Sequence, residues 1–261
     1  MRRKLKNSIV NALLWLLPTK RIGHFWSQYW MGRIDFRVIV DKWWSLPFNG
    51  QAVRLRNFFY IGDIFNPTVG LETGTFIGSS TYLFGGMRTI KQVFSMEFSR
   101  DYFEIAKFRW ESNLVSTKKE FHFVLGDSSL LINDILHTLD RNTDRLLCYL
   151  DAHWESEVPT RNELVALSSW GGYWIAIIDD FEVPYSPIST FQYGFDKYES
   201  SKIDASLVSG LESCSLYFPT TLAAQETGNR RGTGYVFSHK ALTYFTEEMF
   251  EKLEIRPLEQ F

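Results

Sequence analysis

Residues 68–80 read T-V-G-L-E-T-G-T-F-I-G-S-S, and this stretch decides the fold. Val69 to Leu71 form a short apolar run that ends in Glu72. Gly74 and Gly78 follow, four residues apart, and Ser79 to Phe84 reads as the start of a helix. A strand, a glycine turn and a helix in succession present backbone N–H groups and a helix N-terminus to a nucleotide-like ligand.

Downstream the same unit recurs. Gln92 to Met96 is a predicted strand ending at Glu97, and Ser99 is the predicted N-cap of a helix through about Val115. Phe121 to Leu125 is a third strand, ending in Gly126-Asp127-Ser128, with a helix from Leu130 to Leu139 after it. Leu146 to Leu150 is a fourth, ending in Asp151-Ala152-His153-Trp154 and followed by a helix from Pro159 to Ser168. Tyr173 to Ile178 is a fifth, ending in Asp179-Asp180. Upstream, Asn49-Gly50 marks a turn, and Gln51 to Ile64 is a helix that Pro67 stops. Strands alternating with helices predict an α/β, Rossmann-like doubly wound sheet with its ligand crevice at the carboxyl ends of the parallel strands. The acidic strand ends therefore converge on one crevice. Ser215 to Phe218 and Gly234 to Ser238 are two more strands, predicted antiparallel because no crossover helix fits between them. Lys240 to Leu253 is predicted to be helical.

Two regions stand apart. Residues 1–50 form a predicted helical, Trp-rich N-terminal extension, and 51–261 the α/β domain, with an insertion at about 181–212 that reads as a lid or substrate loop. Met1 to Lys6 is basic and Ile9 to Leu17 is apolar but for Asn11. A bilayer span needs about 20 apolar residues, so this segment is too short to cross. It reads either as a helix packed on the domain or a second subunit, giving a homodimer, or as a peripheral membrane contact through residues 1–18.

Composition narrows the class. With 45% hydrophobic and 16% aromatic residues over 261 positions, the chain can bury a core, and disorder is excluded. A net charge of −2 supplies no basic field, so nucleic acid is not an expected partner. Two cysteines, Cys148 and Cys214, make no disulfide framework and suit a cytoplasmic setting, with or without a membrane-surface contact.

The strand ends carry the chemistry. A dinucleotide fingerprint needs G-x-G-x-x-G, which Gly74 and Gly78 do not form. Glu72 would repel a pyrophosphate but can accept from a cationic aminoacyl group, which favours S-adenosylmethionine over a nicotinamide cofactor. Thr73, Thr75 and Ser79 belong to the same candidate cofactor loop. Glu97 is placed to accept both ribose hydroxyls, with Phe98 beside it. Asp127 and Ser128 read either as adenine contacts or as helix caps. Asp151, Asp179 and Asp180 form a carboxylate group on neighbouring strand ends, suited to Mg²⁺ or Mn²⁺; the other reading gives Asp151 to the cofactor and Asp180 to a turn. His153, with an ordinary pKa near 6.5, is a candidate general base or a structural hydrogen-bonding residue.

E-T-G-T-F-I-G, Glu97, G-D-S, L-D-A-H-W and I-I-D-D-F in this order resemble class I S-adenosylmethionine-dependent methyltransferases. More narrowly the chain is similar to a bacterial methyltransferase group with F-N-G-Q (Phe48 to Gln51), L-D-A-H-W (Leu150 to Trp154), I-D-D-F-x-V-P (Ile178 to Pro184) and E-T-G-x-R-R-G (Glu226 to Gly232). Its acidic triad also resembles metal-dependent O-methyltransferases of the catechol and macrocin types. That resemblance implies seven strands with the last antiparallel, Asp151, Asp179 and Asp180 as metal ligands, and methylation of a hydroxyl on a sugar, glycan or small metabolite. Where the catechol type has a lysine base this chain has Trp154. Gln51, Trp154, Tyr193, Tyr198 and Arg230 are candidate acceptor contacts. The rival expectations are a non-catalytic protein that keeps the cofactor fold and a nicotinamide-dependent oxidoreductase.

Overall fold

The computed structural model describes residues 46–113, 119–153, 158–183 and 203–257. The predicted N-terminal helix, the lid aromatics Tyr193 and Tyr198, and Trp154 lie outside these residues. No helix among the described residues is long and apolar enough to cross a membrane.

Eight strands form one sheet: β1 (Val69–Thr73), β2 (Gln92–Glu97), β3 (Glu120–Leu125), β4 (Arg145–Leu150), β5 (Tyr173–Ile178), β6 (Cys214–Pro219), β7 (Gly234–Ser238) and β8 (Ile255–Pro257). Their order is β3-β2-β1-β4-β5-β7-β6-β8. The first five run parallel, and β7 pairs antiparallel with both β5 and β6. This is a Rossmann-like doubly wound sheet, and the order reverses between β1 and β4, where such sheets open their crevice.

The helices are α1 (Ala52–Phe65), α2 (Thr81–Gly86), α3 (Arg100–Asn113), α4 (Ser128–His137), α5 (Thr160–Trp170), α6 (His239–Leu242) and α7 (Glu247–Leu253). Central strands are apolar on both faces because each face is covered. Along β4, Leu146, Cys148 and Leu150 face one way, into a cluster with Ile132 of α4 and Leu164 and Leu167 of α5. Leu147 and Tyr149 face the other, against Phe58 and Ile61 of α1 and Phe84 of α2. Period two sends alternate residues to opposite sides, so a single strand joins both halves of the core.

Three differences from the sequence-based expectation concern boundaries. The predicted tail helix divides into α6 and α7, since Thr246 caps the second through its side chain, accepting from the Met249 N–H. An eighth strand pairs with β6 through Tyr217↔Pro257 and its neighbours. Three residues that include a proline give no alternation to read. Phe48, inside the stretch assigned to the extension, is buried against Phe58 and Tyr149, at ring distances of 5.0 and 4.6 Å.

Candidate functional site

The carboxyl ends of the parallel strands are stitched together by backbone bonds. Gly74 and Thr75 donate to the Met96 carbonyl, Gly126 donates to Glu97, Asp151 to Thr73 and Asp179 to Leu150. After β1 the chain turns through Gly74 at φ 76°. A Cβ there would lie 2.4 Å from the Asp151 carbonyl oxygen, so only glycine lets the loop pass the tip of β4. Phe76, at φ 52°, swings its N–H toward β2, where it donates to Glu97 Oε2 at 2.6 Å.

Glu97 Oε1 accepts from the Ser99 N–H at 2.8 Å. Burial raises the Glu97 pKa, and the backbone donors of Ser99, Phe76 and Phe98 work against that rise. A carboxylate has about four acceptor sites, so beside these three backbone donors it keeps capacity for a ribose hydroxyl. Phe98 beside it is 78% exposed. A large ring so exposed at a cleft edge is suited to cover a flat ligand face. Asp127 caps α4 by accepting the Ser129 N–H and hydroxyl, both on Oδ1, so Oδ2 keeps its acceptor capacity. The capping and adenine readings are thus compatible in Asp127. Ser128 turns inward instead and donates to Glu163 Oε1 at 2.5 Å.

Glu72 requires a correction. It lies within β1 on the face of Gly70, under α2, and is fully buried. Its Oε2 accepts from Ser95 Oγ at 2.6 Å and from Thr81 Oγ1. Through this oxygen the carboxylate braces the loop from beneath rather than standing at its surface. Thr73 is likewise fully buried, and Thr75 bonds Ser95 at 2.7 Å. Desolvation pushes the Glu72 pKa from 4.5 up to about 7, against hydroxyl bonds that lower it. The folded state therefore holds this proton more tightly than the unfolded chain. Stability falls as pH rises from about 4.5 to 7, because the folded protein then loses a proton it prefers to keep. Glu72→Gln is expected to remove that loss. Thermal unfolding at pH 4.5 and pH 8 should show the variant gaining on the wild type by on the order of 2 kcal/mol between the two. Parallel curves at both pH values would discard this account of Glu72.

At the tips of β4 and β5 three carboxylates meet three basic side chains. Asp179 is fully buried, and both of its oxygens are engaged. Oδ1 pairs with Arg54, while Oδ2 accepts from Asn49 Nδ2 at 2.8 Å and the Tyr149 hydroxyl at 2.7 Å. Burial alone would raise its pKa, but Arg54 and Tyr149 outweigh burial and hold it low. His153 Nε2 lies 3.2 Å from Asp151 Oδ1 and 3.4 Å from Asp180 Oδ2. Arg231 Nη1 lies 3.0 Å from Asp180 Oδ1. Burial disfavours the imidazolium, yet Asp151 and Asp180 prevail and push His153 up to about 9. Wedged between two acids, His153 holds its proton more tightly than a free imidazole, which favours the structural, hydrogen-bonding reading of this residue over that of a general base. Burial and Asp179 raise the pKa of Asp151, the most open member of the group, with 29% of its side chain exposed.

These residues are held by an interlock between two segments far apart in the chain. Phe48, Asn49 and Gly50 are all left-handed, forming a short 3₁₀ turn over Pro47–Gly50. Asn229 donates to the Asn49 carbonyl, Thr227 Oγ1 to the Gly50 carbonyl and Val53 N–H to Glu226 Oε1. Gln51 makes a two-way clamp, Nε2 to the Arg231 carbonyl at 2.8 Å and Arg231 N–H to Oε1 at 2.9 Å. Gln51 is buried, so its place as an acceptor contact is corrected to that of a brace for Arg231. Arg230 is exposed at φ 49°. Asp180 is also left-handed, at φ 53°. Left-handed non-glycine residues cost about 1–3 kcal/mol each and persist where surroundings over-determine them.

Arg54, Asn49, Tyr149, Arg231 and Glu163 escaped the sequence reading. Arg54 sits in an amphipathic helix and Tyr149 in an apolar strand, where neither stands out. The E-T-G-x-R-R-G motif was the one signal that pointed to the Arg231 segment.

The residues fit S-adenosylmethionine: a glycine cradle that a Cβ would fill, Glu97 with spare acceptor capacity, an exposed Phe98 and an open Asp127 oxygen. They do not fit a divalent ion held by Asp151, Asp179 and Asp180. Such an ion needs several oxygens free to converge on it, whereas Asp179 is spent on Arg54, Asn49 and Tyr149, and Asp180 faces Arg231 and His153. Among the described residues no three His, Cys, Asp or Glu side chains form a metal-holding group.

No protein-family description matches the chain, and no curated protein matches it. Solved structures with a similar chain trace include an O-methyltransferase from Bacillus cereus in complex with SAH, at 17% identity and TM-score 0.44, covering 69% of this chain and 78% of that one. Another is the O-methyltransferase TomG from Streptomyces achromogenes in complex with SAM, at 16% identity and TM-score 0.40, covering 70% and 79%. A third is an rRNA methylase from Streptococcus thermophilus, at 13% identity and TM-score 0.44, covering 70% and 94%. At these values the likeness carries no argument about activity.

Proposed function

We propose that the protein is an S-adenosylmethionine-dependent methyltransferase that methylates a hydroxyl of a sugar, glycan or small metabolite. The observation that carries this reading is the placement of Glu97, with unused acceptor capacity, across the Gly74 turn from Asp151 on a sheet whose order reverses between them. Glu97 would hold a ribose hydroxyl, Phe98 would cover the adenine and Asp127 Oδ2 would take its amino group. S-adenosylmethionine held there would supply an electrophilic methyl group to the acceptor oxygen, with S-adenosylhomocysteine as the leaving group.

The chain's own part is positioning and proton removal. Asp151 is the most exposed of the three carboxylates, and it takes the acceptor's hydroxyl proton. His153, held between Asp151 and Asp180, fixes the direction of Asp151 and stabilises its charged form. The Gln51 clamp sets Arg231 against Asp180, so that the carboxylate behind His153 is itself held.

Calorimetry with S-adenosylhomocysteine tests the reading. The wild type is expected to bind it, and Glu97→Ala to weaken binding at least tenfold, since a charge-assisted hydrogen bond of about 1.5–3 kcal/mol is lost. No binding by the wild type, or equal binding by Glu97→Ala, would rule the assignment out.

A further inference from the structure

At the tips of β4 and β5 every acid has a basic side chain beside it. Asp151, Asp179 and Asp180 face Arg54, His153 and Arg231, and each carboxylate lies within 3.4 Å of a basic nitrogen. Arg54 and Asp179 are almost completely buried, so this pairing forms with the fold. A divalent ion entering the group would meet the permanent charges of Arg54 and Arg231 in a weakly screening interior. It would also have to strip Asp179 of the Arg54, Tyr149 and Asn49 bonds.

We infer that internal cations take the place of a metal in this centre, and that the acceptor is engaged through a single hydroxyl rather than chelated through a vicinal diol. A metal selects a diol because two neighbouring oxygens bind one ion. Here the most exposed of the three carboxylates is Asp151, backed by His153. One carboxylate collects the proton of one hydroxyl, and among the described residues nothing in the cluster engages a second oxygen as a metal would. This inference rests on the methyltransferase reading for its acceptor, but its metal half can be tested apart.

The full-length protein, saturated with S-adenosylhomocysteine, would be titrated with Mn²⁺ and the free ion followed by electron paramagnetic resonance. The wild type is expected to show no saturable site up to about 1 mM Mn²⁺, a range that covers weak protein sites. His153→Ala combined with Arg231→Gln leaves Asp151 and Asp180 unpaired, and is expected to bind Mn²⁺ at least tenfold more tightly than the wild type. One saturable wild-type site at micromolar Mn²⁺, lost in Asp179→Asn, overturns the inference even where S-adenosylhomocysteine binds normally. Absence of S-adenosylhomocysteine binding would instead overturn the methyltransferase reading and leave the Mn²⁺ result to stand by itself. Labelled S-adenosylmethionine offered with alcohols and phenols, each paired with its vicinal-diol counterpart, tests the acceptor. Transfer to the single hydroxyl should persist in EDTA, and transfer confined to diols and restored by Mg²⁺ would refute it.

Discussion

Arg54→Met is expected to lower the unfolding free energy by about 3–5 kcal/mol, the usual cost of leaving a buried charge without its partner. Arg54 has five N–H donors, and all are used: Nε to Thr233 Oγ1 at 2.8 Å, Nη1 to Asp179 Oδ1 and to the Tyr149 hydroxyl at 3.4 Å, and Nη2 to the carbonyls of Arg231 and Gly232, each at 3.1 Å. Methionine fills much of the volume but returns none of these bonds and strands the Asp179 charge. Lysine keeps the charge with only three donors on a flexible stem, so Arg54→Lys should recover part of the loss and no more. Urea unfolding of both variants, with Asp179→Asn and the Arg54→Met/Asp179→Asn double variant, closes a cycle. The double variant should be less destabilised than the sum of the singles. Additive losses, or an Arg54→Met cost below about 1 kcal/mol, the value of an exposed pair, would show that the pair is not the anchor described here.

Gly74→Ala is expected to combine a structural cost with a functional one. The added methyl would lie 2.4 Å from the Asp151 carbonyl oxygen and 2.6 Å from its carbon, at φ 76°. Both atoms are backbone at the tip of β4, so the strand tips must separate. Positive-φ strain and overpacking each cost about 1–3 kcal/mol, for a total of roughly 2–5 kcal/mol. The same separation moves the loop off Glu97, and S-adenosylhomocysteine affinity should fall more than tenfold. Gly86→Ala is the control, because a Cβ there meets nothing within 4 Å. Thermal unfolding and calorimetry on both variants decide the matter. Unchanged binding in a folded Gly74→Ala would remove the turn from the ligand site.

The parallel half of the sheet was legible because its signals are local. Each of β1, β2, β4 and β5 is an apolar run closed by polar residues, and strand length and turn chemistry need only neighbours in the chain. The antiparallel placement of Gly234 to Ser238 also followed from connection length, and β7 pairs as expected. Glu97 and Asp127 were legible as site candidates because a strand end is identifiable from the run that precedes it. Glu72 was misread by one position. The sequence shows an acid after three apolar residues, but β1 continues through Thr73, and strand period then turns Glu72 into the core face.

The carboxylates at 151, 179 and 180 show what sequence alone left open. Their spacing and types establish that three acids meet at neighbouring strand ends, and three acids together demand positive charge. Which charge answers them is a tertiary fact. Arg54 comes from the helix before the first strand and Arg231 from the segment before β7, 125 residues from Asp179 in the one case. Neither side chain carries a local mark of its partner. Thus the residues by themselves determined an α/β doubly wound sheet, its crevice, and the acids that line it. Packing decided that Asp179 is an anchor, that His153 sits between two acids, and that Gln51 braces Arg231, because side-chain pairing depends on distances that only the folded chain sets.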